Sequence, residues 1–471
     1  MAATTSTGPL SDEPANPEVR EELSLPPKSY ADAAHAGLDD DKHEARRLET
    51  VLTAVTTEIV ETTVATTLHK TTLLSTEEYA SAKDGWEDHA SSNGSTLVTV
   101  DTDNKEEKEQ KSQSNAPLES GRQAGAGWGR SAIRWAPLNV PLQRRLQTMA
   151  VLWHSLSIVT MVGIFFLCLA FPPNWIWLVP YLLYIVFSDA HMSGTLRRRS
   201  NWLRRQKVWS LFASYFPARL HRTVQLERHR KYIFGYHPHG IISHGAFAAF
   251  ATEAMGFAEL FPGITNTLLT LDANFRLPFY REYALAMGLA SVSKESIENL
   301  LSKGGPNGSG MGRAVTIVVG GAKESLMAKP YHLRLILNIR KGFVKIAIRQ
   351  GADLVPVLAF GENDIYEQVD SNTHPWLYKF QIWVKWVAGF TIPLFHARGI
   401  FNYDVGLMPY RRPINLVVGR PIEVHQPQDG IVTDAYLDEI HGKYVKELQR
   451  IWDDHKEQFS PQREEELTIQ E

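Results

Sequence analysis

Tyr232-Ile233-Phe234-Gly235-Tyr236-His237-Pro238-His239-Gly240 runs from an apolar stretch straight into a Pro/Gly turn carrying two histidines. A short apolar run bounded by a turn reads as a buried strand. A strand that ends this way holds an imidazole rigidly at its tip. Imidazole is the side chain whose ordinary pKa lets it take and return a proton near neutrality. Three readings of the pair are open at this point. One histidine is an acid/base group, or the two begin a metal site that needs further ligands such as Asp272 or His244, or both are hydrogen-bonded structural groups.

Working outward, strand patterns recur at 231–236, 314–319, 354–360 and 415–419. Helical patterns lie between them at 242–255 and 341–349, and a third follows at 435–459. Strands alternating with helices predict an α/β domain over 207–460, a mostly parallel sheet with helices packed on it. Residues 461–471 are left as a C-terminal tail.

Upstream, 149–171 is a 23-residue apolar run and 175–187 a shorter one, separated by Pro172-Pro173-Asn174. A membrane-spanning helix needs about 20 apolar residues. Arg144 and Arg145 precede the pair, and Arg197, Arg198, Arg199, Arg204 and Arg205 follow it. Basic residues at both outer ends predict a membrane helical hairpin within 128–206, entering and leaving on the cytosolic face, with Trp175 and Trp177 as candidate interface anchors.

Charge divides the chain further. Residues 1–130 hold 24 acidic and 12 basic side chains, a net of −12, whereas the rest holds 28 and 37, a net of +9. Residues 1–127 are rich in Thr, Ser, Ala, Glu and Asp and read as a disordered acidic head. Within it, 51–74 carries Val and Ile among threonines, and 25–30 has the form of a short linear motif. The basic body suits an anionic partner, whether a phosphorylated cofactor, an anionic membrane or a nucleic acid. A single cysteine, Cys168, excludes an internal disulfide framework and a Cys-based zinc site. Residues 1–20 lack the apolar core of a signal peptide.

A second block, Gly320-Gly321-Ala322-Lys323-Glu324-Ser325, follows a β-branched strand. Two glycines let backbone approach a substrate, and a strand-to-helix turn points N–H groups at an oxyanion or phosphate. The spacing is not that of a P-loop. Glu324 is placed to orient an imidazole or to favour a helix N-terminus. Arg340, Lys341 and Lys345, around Gly342, suit a phosphorylated ligand, and Arg276 and Arg281 form another arginine pair among aromatics. No serine sits in a Gly-x-Ser-x-Gly elbow, and Cys168 lies in an apolar run, so direct transfer with a histidine base is expected over a covalent acyl-enzyme.

At these residues the chain resembles the diacylglycerol acyltransferase type 2 family. The resemblance rests on Tyr215-Phe216-Pro217, His237-Pro238-His239-Gly240, the Phe275/Pro278/Arg281/Tyr283 segment, Gly320-Gly321-Ala322-Lys323-Glu324, the run 340–363 and Gly419-Arg420-Pro421-Ile422. It covers about 135–460, and Phe166-Leu167-Cys168-Leu169 is similar to the family's neutral-lipid motif; the acidic head has no counterpart. The resemblance implies a glycerolipid-acyltransferase-like fold. It also implies an endoplasmic-reticulum membrane enzyme with its catalytic domain on the cytosolic face, found at lipid droplets as well, that moves an acyl group from acyl-CoA to diacylglycerol. Glycerolipid acyltransferases use a His-x4-Asp pair, but His244 stands five after His239 and Ile242 five after His237, so Glu324 becomes the expected partner.

The expected site is therefore His239 as base, Glu324 orienting its ring and His237 structural, with the reverse assignment of the histidines open. Gly240 or Gly320-Gly321 would supply oxyanion donors, and Arg281, Arg340, Lys341 and Lys345 would meet the phosphates of CoA. The expected partners are acyl-CoA as co-substrate, diacylglycerol, membrane lipid and a second copy of the chain, with no nucleic acid, bound cofactor or metal. Rival readings are a monoacylglycerol or long-chain alcohol acceptor, a metal-dependent hydrolase, and a non-enzymatic membrane lipid-binding protein.

Overall fold

The computed structural model of the chain describes residues 86–90, 96–100, 135, 140–368, 376, 379, 383, 394–428 and 430–470. Most of the acidic head, including 25–30 and 51–74, lies outside the described residues. The strands in chain order are β1 (Trp86–Ala90), β2 (Thr96–Val100), β3 (Arg219–Arg222), β4 (Tyr232–His237), β5 (Thr265–Thr270), β6 (Ala290–Ser291) and β7 (Arg313–Val318). They continue as β8 (Arg334–Ile336), β9 (Asp353–Phe360), β10 (Glu367–Gln368), β11 (Phe395–His396), β12 (Asn415–Val418) and β13 (Thr468–Gln470). The helices that matter for the site are α1 (Leu142–Leu169), α2 (Trp175–Phe187), α3 (Lys207–Tyr215), α4 (Gly321–Ser325), α5 (Gly342–Gln350) and α6 (Asp434–Phe459).

The main sheet has nine strands in the order β1-β2-β3-β12-β9-β4-β7-β5-β6. β4 lies inside it, parallel to β9 on one side and to β7 on the other. β5 and β6 extend the parallel run, while β12 is antiparallel to β9 and carries β3 parallel to itself. This is the expected mixed α/β architecture with a mostly parallel sheet. All six residues of β4 are buried, as a parallel strand covered on both faces requires. Alternation sends Ile233 to one side with Phe343 of α5 and Tyr444 and Trp452 of α6. Phe234 and Tyr236 face the other side with Trp209 and Phe212 of α3.

The apolar stretches form two helices joined by a single 3-10 turn, Pro172–Asn174. α2 has the predicted bounds, but α1 begins at Leu142, ahead of the apolar run, and spans 28 residues. At 1.5 Å per residue that is about 42 Å. α1 is long and apolar enough to cross a membrane, with a mean hydropathy of 2.0 over its best window. The turn is held by side chains: Asn174 Nδ2 donates to Cys168 O (2.9 Å) and Trp175 Nε1 to Leu169 O (2.8 Å).

Three expectations change. First, part of the head read as disordered is a hairpin, β1 with β2, that completes the sheet edge against β3. Leu97 is fully buried, Thr99 Oγ1 donates to Leu220 O (2.9 Å), and Gly256 leaves room for Val100, which a Cβ there would meet at 2.8 Å. Second, the tail is docked: β13 pairs with β8 in parallel, Leu467 is buried, and Trp452 Nε1 donates to Glu466 Oε2 (2.7 Å). Third, the helix expected over 242–255 is a short turn, His244–Ala246, that widens into a π-turn over Phe247–Ala251. Buried Arg204 ends it by donating Nη2 to Phe250 O (3.2 Å) and Nη1 to Ala251 O (2.7 Å), which removes those carbonyls from a continuing helix.

Candidate active site

The carboxyl ends of β4 and β7 lie side by side, so the His-Pro-His-Gly turn and the Gly320-Gly321 turn meet at one edge of the sheet. Ligand sites of parallel α/β sheets form at this edge. Between them sits Glu324, on α4. Its Oε1 accepts from the backbone N–H of His239 (2.6 Å) and its Oε2 from the N–H of Ile336 on β8 (2.8 Å). Gly320 is required by this arrangement, because a Cβ there would lie 2.1 Å from the Glu324 carboxyl carbon. The positive φ of Gly321 (62°) completes the turn.

The expected carboxylate–imidazole pair is thus absent. Glu324 grips the main chain of His239 with one oxygen and that of Ile336 with the other, and makes no hydrogen bond to the His239 ring. The ring is held instead by its own turn: Nδ1 lies 3.1 Å from Gly240 O. A carbonyl only accepts, so Nδ1 carries the proton and Nε2 the lone pair. Among the described residues Nε2 has no hydrogen-bond partner. Burial holds the imidazole below its ordinary pKa, partly offset by the Gly240 carbonyl. His239 is half-buried, unlike His237 and His244, which are fully buried.

His237 differs in every respect. It is fully buried, Nε2 lies 2.9 Å from the Tyr444 hydroxyl, and burial lowers its pKa to about 3. Tyr444 donates to Gly235 O (3.1 Å), so its oxygen accepts from His237 Nε2–H. Gly235 admits this contact: a Cβ there would lie 2.0 Å from the tyrosine hydroxyl. The His237 ring is part of the core.

A second carboxylate lies on the other flank. Glu362, just past β9, is buried, and its Oε2 accepts from the Tyr236 hydroxyl (2.7 Å) and the Gly245 N–H (2.9 Å). A Cβ on Gly240 would meet its Cγ at 2.8 Å, so the His-Pro-His-Gly turn rests directly on it. Burial raises the pKa of both Glu324 and Glu362 to about 7. His244, at the position where a His-x4-Asp enzyme carries its aspartate, is buried with Nε2 3.0 Å from the Tyr366 hydroxyl.

The four cations expected at phosphates divide. Arg281 is fully buried and committed to the end of α2, donating Nη1 to Ile185 O (2.8 Å) and Nη2 to Ser188 O (3.1 Å) and Ser188 Oγ (2.8 Å). It fastens a helix C-terminus and is not available to a phosphate. Lys341 pairs with Asp438 of α6 (2.6 Å). Arg340 stands beside the glycine turn, with Nη2 3.4 Å from Gly320 O, and Lys345 lies one turn into α5. Among the described residues no three His, Cys, Asp or Glu side chains converge as a metal site needs.

A family model described as Diacylglycerol acyltransferase matches residues 167–470. The chain belongs to the diacylglycerol acyltransferase family. It is 48% identical over 336 residues to Diacylglycerol O-acyltransferase 2A of Umbelopsis ramanniana, covering 71% of this chain and 93% of that one. It is 44% identical over 331 residues to 2-acylglycerol O-acyltransferase 1 of Bos taurus, covering 69% and 96%. A solved structure, the 1-acyl-sn-glycerophosphate acyltransferase PlsC from Thermotoga maritima, aligns at a TM-score of 0.27 and 10% identity, over 65% of this chain and 97% of that one.

In this acyltransferase the site residue missed by sequence reasoning is Glu362. Its signal was present, a charged residue between a glycine and an asparagine at the end of an eight-residue strand buried throughout. An acidic side chain at the carboxyl end of such a strand is buried for a reason, and the reason here is the neighbouring turn.

Proposed function

We propose that this acyltransferase moves a fatty acyl group from acyl-CoA to the free hydroxyl of diacylglycerol, giving triacylglycerol, with His239 as general base. The observation that carries the reading is the state of His239: Nδ1 bonded to Gly240 O and Nε2 unpartnered among the described residues at the edge where the two glycine turns meet. His239 Nε2 takes the proton of the acceptor hydroxyl, whose oxygen attacks the thioester carbonyl carbon. The Gly240 N–H, which has no partner among the described residues, and the Gly320-Gly321 backbone hold the resulting oxyanion. The C–S bond then breaks, and the imidazolium returns its proton to the leaving thiolate as CoA departs. Arg340 and Lys345 meet the phosphates of CoA.

The enzyme works in the membrane, with α1 and α2 in the bilayer and the catalytic domain on the cytosolic face of the endoplasmic reticulum or on lipid droplets. The exposed apolar side chains along both helices, among them Val159, Phe166, Leu167, Ile176, Val186 and Phe187, support this placement. Transfer to monoacylglycerol is the second reading, favoured by the similarity to a relative named for 2-acylglycerol. Incubating membranes that carry the full chain with labelled acyl-CoA and a panel of diacylglycerol, 2-monoacylglycerol and long-chain alcohol tests both. Labelled triacylglycerol is expected, and its absence with every other product formed would reassign the acceptor.

A further inference from the structure

Residues 394–408 carry their polarity inside out. The segment leaves β11, turns, and returns through antiparallel bridges that pair Ala397 with Gly406 and Arg398 with Met408. Asn402 Oδ1 closes the tip by accepting the N–H groups of Asp404 (3.1 Å) and Val405 (2.8 Å). The two charges of the turn point inward. Arg398 is 4% exposed, with its guanidinium 5.4 Å from the Tyr403 ring, and Asp404 is 3% exposed. The side chains turned outward are apolar: Phe401 is 74% and Leu407 67% exposed, with Ile400 and Val405 beside them. A loop in water does the opposite, because burying charge is costly and exposing a contiguous apolar patch is unfavourable.

The tip also sits at a particular place. Trp135, itself exposed, bridges Asn402 just ahead of α1. Arg411, just after the loop, donates Nη1 to Gln147 Oε1 (2.5 Å) and Nη2 to Arg144 O (2.9 Å), in the first turns of α1. The apolar tip therefore lies beside the start of the apolar helix, with an aromatic residue at the junction, where membrane-interface residues gather.

We propose that residues 399–407 form a second membrane contact that seats Ile400, Phe401 and Leu407 among the acyl chains of the bilayer. The occupant is lipid, because the patch is tied to the start of α1, whose own exposed side chains are apolar, and presents no outward charge for a protein partner to read. The inference rests on the reading of α1 as embedded in the bilayer. It links the membrane to the site: Phe395 of β11 packs on Tyr366 (4.8 Å between ring centroids), and the Tyr366 hydroxyl bonds His244 behind the catalytic turn. Insertion of the tip fixes the height of His239 above the bilayer.

The test uses nitroxide labels on the full chain in phosphatidylcholine vesicles, in a Cys168→Ser background. One label each is placed by Phe401→Cys at the tip, Val159→Cys on the exposed face of α1, and Lys443→Cys on water-facing α6. Collision with oxygen and with a water-soluble nickel chelate is measured. The label at 401 is expected to follow 159, favouring oxygen and shielded from nickel, while 443 does the reverse. A label at 401 as open to nickel as 443, with 159 shielded, overturns the loop contact and leaves the membrane reading of α1 standing. Nickel access at 159 overturns that reading, and the loop contact with it.

Discussion

Glu324 and His239 are joined through the main chain: the carboxylate accepts the His239 N–H at 2.6 Å and does not touch the ring. Orientation of the proposed base is thereby divided between two groups. Glu324 fixes where the backbone of the turn lies, and Gly240 O fixes how the ring is protonated.

Removal of the proposed base, His239, gives the plainest test. A general base contributes roughly 10²–10⁴-fold. His239→Ala is expected to lose activity in that range while the chain still fractionates with membranes. Labelled acyl transfer in isolated membranes checks this, and near-normal turnover would displace His239 from its role.

The divided orientation separates two effects of Glu324→Gln. The amide cannot accept both N–H groups, so kcat should fall. The acid limb of the kcat/KM profile should stay where it is in the wild type, below the ordinary imidazole value of 6.5, because burial lowers the His239 pKa and no carboxylate faces the ring. A limb that moves by a unit or more in the variant would restore a direct Glu324–imidazole pair.

Glu324 and Glu362 have folded pKa values near 7, raised by burial from the ordinary 4.5. The folded state then binds more protons than the unfolded chain between those values. The stabilising contribution is complete below pH 4.5 and is lost as pH rises through about 7. The unfolding midpoint in one detergent should fall across that window. Glu362→Gln should flatten the fall, since its amide oxygen still accepts from Tyr236 and Gly245 while the charge is gone. An unchanged slope would mean that Glu362 is already ionised in the fold.

Arg281→Ala distinguishes a structural cation from a phosphate ligand. It strips Ile185 O and Ser188 O of charged donors, each such bond being worth about 1.5–3 kcal/mol. The unfolding midpoint should drop with the KM for acyl-CoA unchanged. A rise in that KM with intact stability would return Arg281 to the CoA site.

The β1–β2 hairpin sets where the chain can be shortened. Deleting residues 1–85 should leave stability and activity near wild type. Deleting 1–127 also removes the strands that cover the β3 edge and should lower the unfolding midpoint. Equal behaviour of the two truncations would make the hairpin dispensable.

Much of the architecture was legible in the sequence where apolar periodicity was strong. The runs around 232, 314 and 354 gave β4, β7 and β9 within a residue or two, because strands buried on both faces leave little room for polar residues. β5, with the sequence TNTLLT, was not legible, because Asn266 and Thr316 satisfy each other across the sheet and so allow polar residues into a core strand. β2 was hidden in a Thr-rich acidic stretch, and its place depends on an edge supplied more than a hundred residues later. At the site, the residue types were readable but their partners were not. Sequence shows that Glu324 follows two glycines; only the fold shows that the space left by Gly320 directs its carboxylate to main-chain N–H groups.

Arg281 and Arg411 spend their guanidinium donors on α2 and on the first turns of α1. Both arginines are buried against those helices, so cutting the chain ahead of the catalytic domain would remove the oxygens that order them. Anchor and catalyst have no seam between them. Deleting the helices would also take away part of the catalytic domain's own core, because Ala150 and Val151 of α1 are buried in it.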